Sequence, residues 1–251
     1  MTNTFDPHAA ARHLLAARNG TTVTAHDILP PDAQGAYAVQ DATIASLGPV
    51  GGWKVGAKGP QALPACAPLP GQGLLASGAL LAGGAWQLRG IEVEVAIRLG
   101  RDLAPADERM SPADLAHAID AVMPAIEVVE TRLADWRGAD PLAQLADLQS
   151  HGALILGSAC TLGPRDIDLR TVRAHLAFDG QSVADTHGGN PAGDLWRMLA
   201  WLAFHCVQRG LPLQAGQVIT TGSCTGMLFA PAGARVRAEL AGIGMIETAF
   251  Q

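Results

Sequence analysis

A chain of 251 residues, 49% hydrophobic and 16% charged, is long enough to bury a sizeable core and too apolar to be disordered. Its net charge of -6, with no lysine/arginine cluster, gives no electrostatic footprint for nucleic acid or an anionic membrane. Aromatics are only 4% of residues, which leaves the core to Ala, Leu, Val and Ile.

Cys66, Cys160, Cys206 and Cys224 form no Cys-x-x-Cys pair and read as reduced, partly buried residues rather than a disulfide frame or zinc site. The stretch Met1 to Gly20 carries His8, Arg12, His13 and Arg18 and lacks the continuous apolar core of a secretion signal. Apolar runs such as Leu199 to Phe204 are far below membrane-spanning length, so the expected location is the cytoplasm.

In chain order, Ala10, Leu14 and Leu15 share one face of a helix expected over residues 7–18. Pro30-Pro31 breaks the chain, and Asp32 precedes a second helix over 36–44 that ends near Gly48-Pro49. Gly51-Gly52-Trp53-Lys54-Val55-Gly56 is a glycine-bounded strand, and 57–85 reads as loops and short edge strands. That stretch is the expected seam between a small N-terminal α/β region, 1–80, and a β-rich catalytic domain, 81–251. Ile91-Glu92-Val93-Glu94-Val95-Ala96-Ile97 alternates with the period of a strand that has one face in a core.

Ser111-Pro112-Ala113-Asp114 starts a helix expected to reach Val122, and 124–130 follows as a β segment. Further strands are expected at 153–156, at 172–178 with a turn at Asp179-Gly180, and at 217–221, 235–240 and 245–250. Asn190-Pro191 opens a helix whose apolar face carries Leu195, Met198, Leu199, Leu202 and Cys206. Helices in front of a β-rich body make an α+β protein.

Glu92 and Glu94 point to one side of their strand, and a returning strand that pairs beside it brings Glu127 to both. Three carboxylates suit a hard divalent cation, although glutamate on the outer face of a strand is also ordinary. Lys54 stands in an apolar strand, where it reads as a general acid or base with a tuned pKa, or as a surface lysine laying its stem on apolar neighbours. Thr221-Gly222-Ser223-Cys224-Thr225-Gly226 offers N–H and hydroxyl groups to a small anion, or is a plain turn; with no helix behind it, it is not a nucleotide cradle. The eight histidines show no ligating spacing and read mostly as surface or capping residues.

Together, Gly52-Trp53-Lys54-Val55-Gly56, Ile91-Glu92-Val93-Glu94, Arg101-Asp102-Leu103, Pro124-Ala125-Ile126-Glu127, Asp135-Trp136, Ala146-Asp147, Asn190-Pro191, Trp201-Leu202-Ala203 and Gly222-Ser223 resemble, in order and spacing, the 2-hydroxypenta-2,4-dienoate hydratase and 4-oxalocrotonate decarboxylase family of the fumarylacetoacetate hydrolase superfamily. The resemblance implies a mixed β-roll or barrel with flanking helices. It makes Glu92, Glu94 and Glu127 ligands of Mg²⁺ or Mn²⁺, and Lys54 the acid/base residue with Asp147 assisting. Ser150, Ser223 and Thr225 become substrate-binding hydroxyls.

The implied partners are a small 2-oxo acid and further copies of the chain. The implied reaction is hydration of a dienol to a 4-hydroxy-2-oxo acid. Decarboxylation of a 2-oxo diacid is the alternative, and a non-catalytic partner subunit a third reading. Leu148 replaces an Asn and Gly71 an Asp of the family pattern, both near where such families hold substrate. The His-x-x-Glu dyad of the superfamily's C–C hydrolases is absent, which weighs against hydrolysis.

Overall fold

The computed structural model describes residues 5–107 and 109–251. Residues 1–4 of the N-terminal stretch assessed above lie outside them. Six helices, α1 (Pro7–Ala16), α2 (Ala25–Ile28), α3 (Ala33–Leu47), α4 (Pro112–Ala118), α5 (Pro141–Ala146) and α6 (Leu195–Gln208), accompany thirteen strands. The strands are β1 (Val50–Gly56), β2 (Ala65–Pro70), β3 (Leu74–Ala76), β4 (Leu80–Leu81), β5 (Gly90–Leu99), β6 (Ile119–Val129), β7 (His151–Leu156), β8 (Arg173–Phe178), β9 (Gln181–His187), β10 (Val218–Ser223), β11 (Leu228–Phe229), β12 (Arg235–Leu240) and β13 (Gly244–Phe250). This is the expected α+β class. Among the described residues no helix is long and apolar enough to cross a membrane.

Helix ends follow local chemistry. Asp32 accepts the Gly35 N–H at 2.7 Å at the start of α3, and Asp194 takes the Trp196 and Arg197 N–H groups at 2.9 and 3.1 Å at the start of α6. Ser111 caps α4, but the helix stops at Ala118 instead of continuing to Val122. Ile119 and the residues after it are drawn into β6 by pairing with β5, where β-branched side chains pack well. Asp179 and Gly180, with φ of 51° and 82°, close the β8–β9 hairpin.

The larger sheet runs β2-β1-β10-β5-β6-β7-β3, with β11 on the start of β5; the smaller runs β4-β13-β12-β8-β9. Ile91, Val93, Val95 and Ile97, the apolar side of β5, enter the main core with Trp53, Leu176, Leu199, Leu202 and Ile246. A second core joins Ala10, Leu14, Ile28 and Val39 to Leu133, Ala143 and Ala146. Strands from residues 1–80 join both sheets: β1 lies between β2 and β10, and β3 and β4 pair with β7 and β13. The 57–85 stretch is weakly periodic because its strands are short and lie at sheet edges.

Candidate metal and acid–base site

The polar face of β5 meets β6 in antiparallel register, with Glu92 opposite Glu127 and Glu94 opposite Ala125. Oxygens of Glu92, Glu94 and Glu127 all lie within 4.8 Å of one another. Lys54 arrives on β1, one strand beyond β10, and its Nζ is 2.6 Å from Glu127 Oε1 and 3.2 Å from the Gln149 carbonyl. Glu94 and Glu127 are buried and Glu92 is half-buried.

One ammonium against three carboxylates leaves buried negative charge unbalanced. Burial pushes the Glu92 carboxyl up to about 7, with Lys54 opposing and Glu127 adding to the rise. Glu94 is held well above the usual carboxylate range by burial and by its two acidic neighbours. For Glu127, burial is outweighed by Lys54 and by a hydrogen bond to His151, so it lies below its ordinary value. Burial works against the Lys54 ammonium too, but the three carboxylates overcome it and hold that group above its usual value.

A divalent cation fits this donor set on its chemistry. The ligand atoms are all carboxylate oxygens, the choice of hard cations. Glu127 spends Oε1 on Lys54 and His151, while its buried Oε2 has no protein partner. Two carboxyls raised by burial and by acidic neighbours are groups that a cation returns to the ionised form.

Three further residues build the site, and sequence reasoning missed them as functional. His151, fully buried, sets Nδ1 3.2 Å from Glu127 Oε1, and burial depresses its pKa. It is thus neither a surface nor a capping histidine. Asn190 is buried and donates from Nδ2 to the Thr221 and Gly222 carbonyls at 2.8 Å each. That fixes the turn, with Gly222 at φ 91°, whose N–H reaches Glu94 Oε2 at 2.8 Å. Arg132, buried, pairs with Asp147 and brackets the chain between 147 and 151.

Asp147, expected from the resemblance to assist Lys54, is held by this last pair. Its Oδ1 takes Arg132 Nε at 2.5 Å, and its Oδ2 takes the Arg132 N–H and the Thr131 hydroxyl at 3.0 and 3.1 Å. Both oxygens are thus engaged by Arg132 and Thr131. Ser150 is likewise buried, and its hydroxyl oxygen accepts the Trp136 Nε1–H at 2.9 Å. Ser223 does stand beside Glu94 in register across β10 and β5, and Thr225 caps the Val93 N–H at 3.3 Å. Their hydroxyls also both reach the Gly226 carbonyl at 3.0 Å.

The two departures from the family pattern have visible settings. Gly71 approaches Gly51 so closely that a Cβ on Gly51 would lie 2.6 Å from the Gly71 Cα. Leu148 is buried and opens a run of three non-glycine residues at positive φ: Leu148 at 49°, Gln149 at 50° and Ser150 at 57°. Left-handed backbone costs such residues about 1–2 kcal/mol each, and the run ends one residue before His151.

Residues 69–251 match the fumarylacetoacetate (FAA) hydrolase C-terminal family. The 2-keto-4-pentenoate hydratase of Burkholderia vietnamiensis (strain G4 / LMG 22486) is 36% identical over 64% of this chain, a match spanning 60% of the relative's own length. The 2-keto-4-pentenoate hydratase 2 of Dechloromonas aromatica (strain RCB) is 32% identical over the whole of both chains. In fold, the 4-oxalocrotonate decarboxylase from Pseudomonas putida G7, complexed with magnesium and adipate, superposes with a TM-score of 0.84. It is 23% identical, over 98% of this chain and 97% of its own. With the family match covering most of the chain and placing β5 to β13 inside it, the protein is a member of the fumarylacetoacetate hydrolase C-terminal family.

Proposed function

We propose that the protein is a divalent-metal-dependent hydro-lyase that adds water to 2-hydroxypenta-2,4-dienoate or a close 2-oxo-enoate, giving a 4-hydroxy-2-oxo acid. The observation that carries the reading is the convergence of Glu92, Glu94 and Glu127 within 4.8 Å, with the Lys54 ammonium on Glu127. The names of the hydratase relatives supply the substrate class. Glu92, Glu94 and Glu127 hold the cation, Mg²⁺ or Mn²⁺. Bound there, it supplies a Lewis acid for the carboxylate and C2 oxygen of a 2-oxo acid or its enol.

The protein's own groups handle protons. The carboxylates keep Lys54 charged, and Glu127 and the Gln149 carbonyl aim its Nζ, so it stands ready as the acid that protonates C5 of the dienol. The proton lost from the 2-hydroxyl as the ketone forms recharges Lys54, and water then adds across C3–C4 of the conjugated ketone, its hydroxyl to C4 and its other proton to C3. His151 holds Glu127 from the other side, and Ser223 and Thr225 border Glu94 as the polar edge of the substrate site. We further infer self-association, on the family resemblance and on the exposed Leu80 and Met245 at the outer face of the smaller sheet. Sedimentation measures it.

The test is the ultraviolet absorbance of 2-hydroxypenta-2,4-dienoate with Mg²⁺, with Mn²⁺ and with a chelator. Metal-dependent loss of the dienol, with a 4-hydroxy-2-oxo acid as product, is the expected result. Release of CO₂ from 4-oxalocrotonate without dienol turnover would move the protein to the decarboxylase reading, which the fold match over 98% of the chain supports. Silence on both, with and without metal, sinks the enzymatic reading.

A further inference from the structure

We propose that the Arg132–Asp147 pair is a positioning device that clamps the left-handed turn 148–150 and so sets the Gln149 carbonyl that steadies Lys54. The inference rests on Lys54 as the acid/base residue. Arg132 reaches across the turn: Nη2 donates to the Asp147 carbonyl before it and Nη1 to the His151 carbonyl after it, each at 2.8 Å. Nε meanwhile sits on the Asp147 carboxylate at 2.5 Å. One guanidinium, 4% exposed, thus ties both ends of a three-residue arc.

Within the arc, the Ser150 hydroxyl takes Trp136 Nε1 at 2.9 Å, and its carbonyl takes the Glu130 N–H at 2.8 Å. The Gln149 carbonyl between these anchors is left for Lys54 Nζ.

Three successive non-glycine residues at positive φ do not hold that shape alone; the surroundings must over-determine it. Among the described residues Lys54 Nζ is tied to two partners, Glu127 and the Gln149 carbonyl. With the turn relaxed, Glu127 alone would hold the ammonium, free to swing among the carboxylates. The turn thus converts a buried ion pair 15 residues apart in sequence into the aim of a proton donor.

The test pairs Arg132→Gln with Asp147→Asn, which replaces a charged pair by a neutral one and strands no buried charge. A second protein adds Gln149→Gly, which keeps the carbonyl and removes the left-handed penalty. The chain has two lysines, Lys54 and Lys58, so ¹⁵N-lysine labelling gives two side-chain ammonium signals that need no substrate to read.

The expected native Lys54 signal is distinct from that of Lys58 and slow to exchange with water. It should collapse toward Lys58 in the double variant and return with Gln149→Gly. Turnover should fall roughly 10²-fold with KM nearly constant, and recover with Gln149→Gly by about tenfold or more. A native-like Lys54 signal in the folded double variant overturns the proposal. So does a Gln149→Gly protein that regains melting temperature but not the signal. Should the double variant fail to fold, Arg132→Lys keeps the charge pair but gives up the fork that spans the Asp147 and His151 carbonyls, and an unchanged Lys54 signal there is equally decisive against it. Because the signal is read without substrate, failure to find turnover tells against the assigned reaction and not against the clamp.

Discussion

Glu92 and Glu127 stand directly opposite each other across β5 and β6, and Glu94 joins them from the same face of β5. Carboxylates so placed repel unless a cation is shared, which makes the pair the most direct handle on metal binding. Glu92→Gln removes one ligand charge with little change of volume. Its Mn²⁺ affinity should fall about tenfold or more, at least ~1.4 kcal/mol, with metal-dependent turnover lost. Calorimetric titration beside the dienol assay measures both, and native affinity in this variant would remove Glu92 from the metal site.

Metal binding should depend on pH in one direction. Burial raises Glu92 to about 7, so below that pH its carboxyl carries a proton that a cation must displace. Affinity should therefore climb from pH 6 to pH 8, while the protons released on binding decrease over the same range. Titrations in buffers of different ionisation enthalpy count those protons. A flat profile would contradict the crowding of the three carboxylates.

Lys54→Met separates proton transfer from metal binding. The variant removes the positive charge that competes with a cation for Glu127, so metal affinity should hold or rise. Turnover should drop by about 10²–10⁴-fold, the usual worth of a positioned acid or base. Full activity in Lys54→Met would transfer that role to another group.

His151→Asn tests the support behind Glu127. Losing the Nδ1 contact at 3.2 Å leaves that carboxylate held by Lys54 alone on Oε1. Metal affinity should weaken about 10- to 100-fold, as for other groups that orient ligands, and the melting temperature should be followed in parallel to separate orientation from folding.

A control lies far from the chemistry. Asp32→Ala removes the cap of α3 and should cost about 1 kcal/mol, or roughly 2–4 °C in Tm, with turnover per folded molecule unchanged. Loss of turnover there would mean that the small helical core is coupled to the site.

The legible part of the site is the part written with short periods. Alternation placed Glu92 and Glu94 on one face, and the antiparallel return of β6 brought Glu127 to them. His151 is not legible because a single histidine with no ligating spacing reads as a surface or capping residue, and its partner lies on the neighbouring strand. The partner of Asp147 is not legible, because Arg132 is isolated in sequence and shows its purpose only through carbonyls on both sides of a turn. The turn itself carries no glycine, so nothing in Leu148-Gln149-Ser150 announces positive φ. Helix α4 was drawn too long because its capping signal was local, while its end was set by pairing with a distant strand.

The placement of β1 has a consequence for the order in which the site is born. The β5, β6 and β7 strands are consecutive neighbours, so a growing chain can seat the three carboxylates soon after residue 156 has emerged. Lys54 has been made long before, yet in the sheet its strand is separated from β5 by β10. Such long-range closure comes late. Pairing through β10 is thus the long-range step that completes the site, because it joins an ammonium from early in the chain to carboxylates whose own strands are neighbours in sequence.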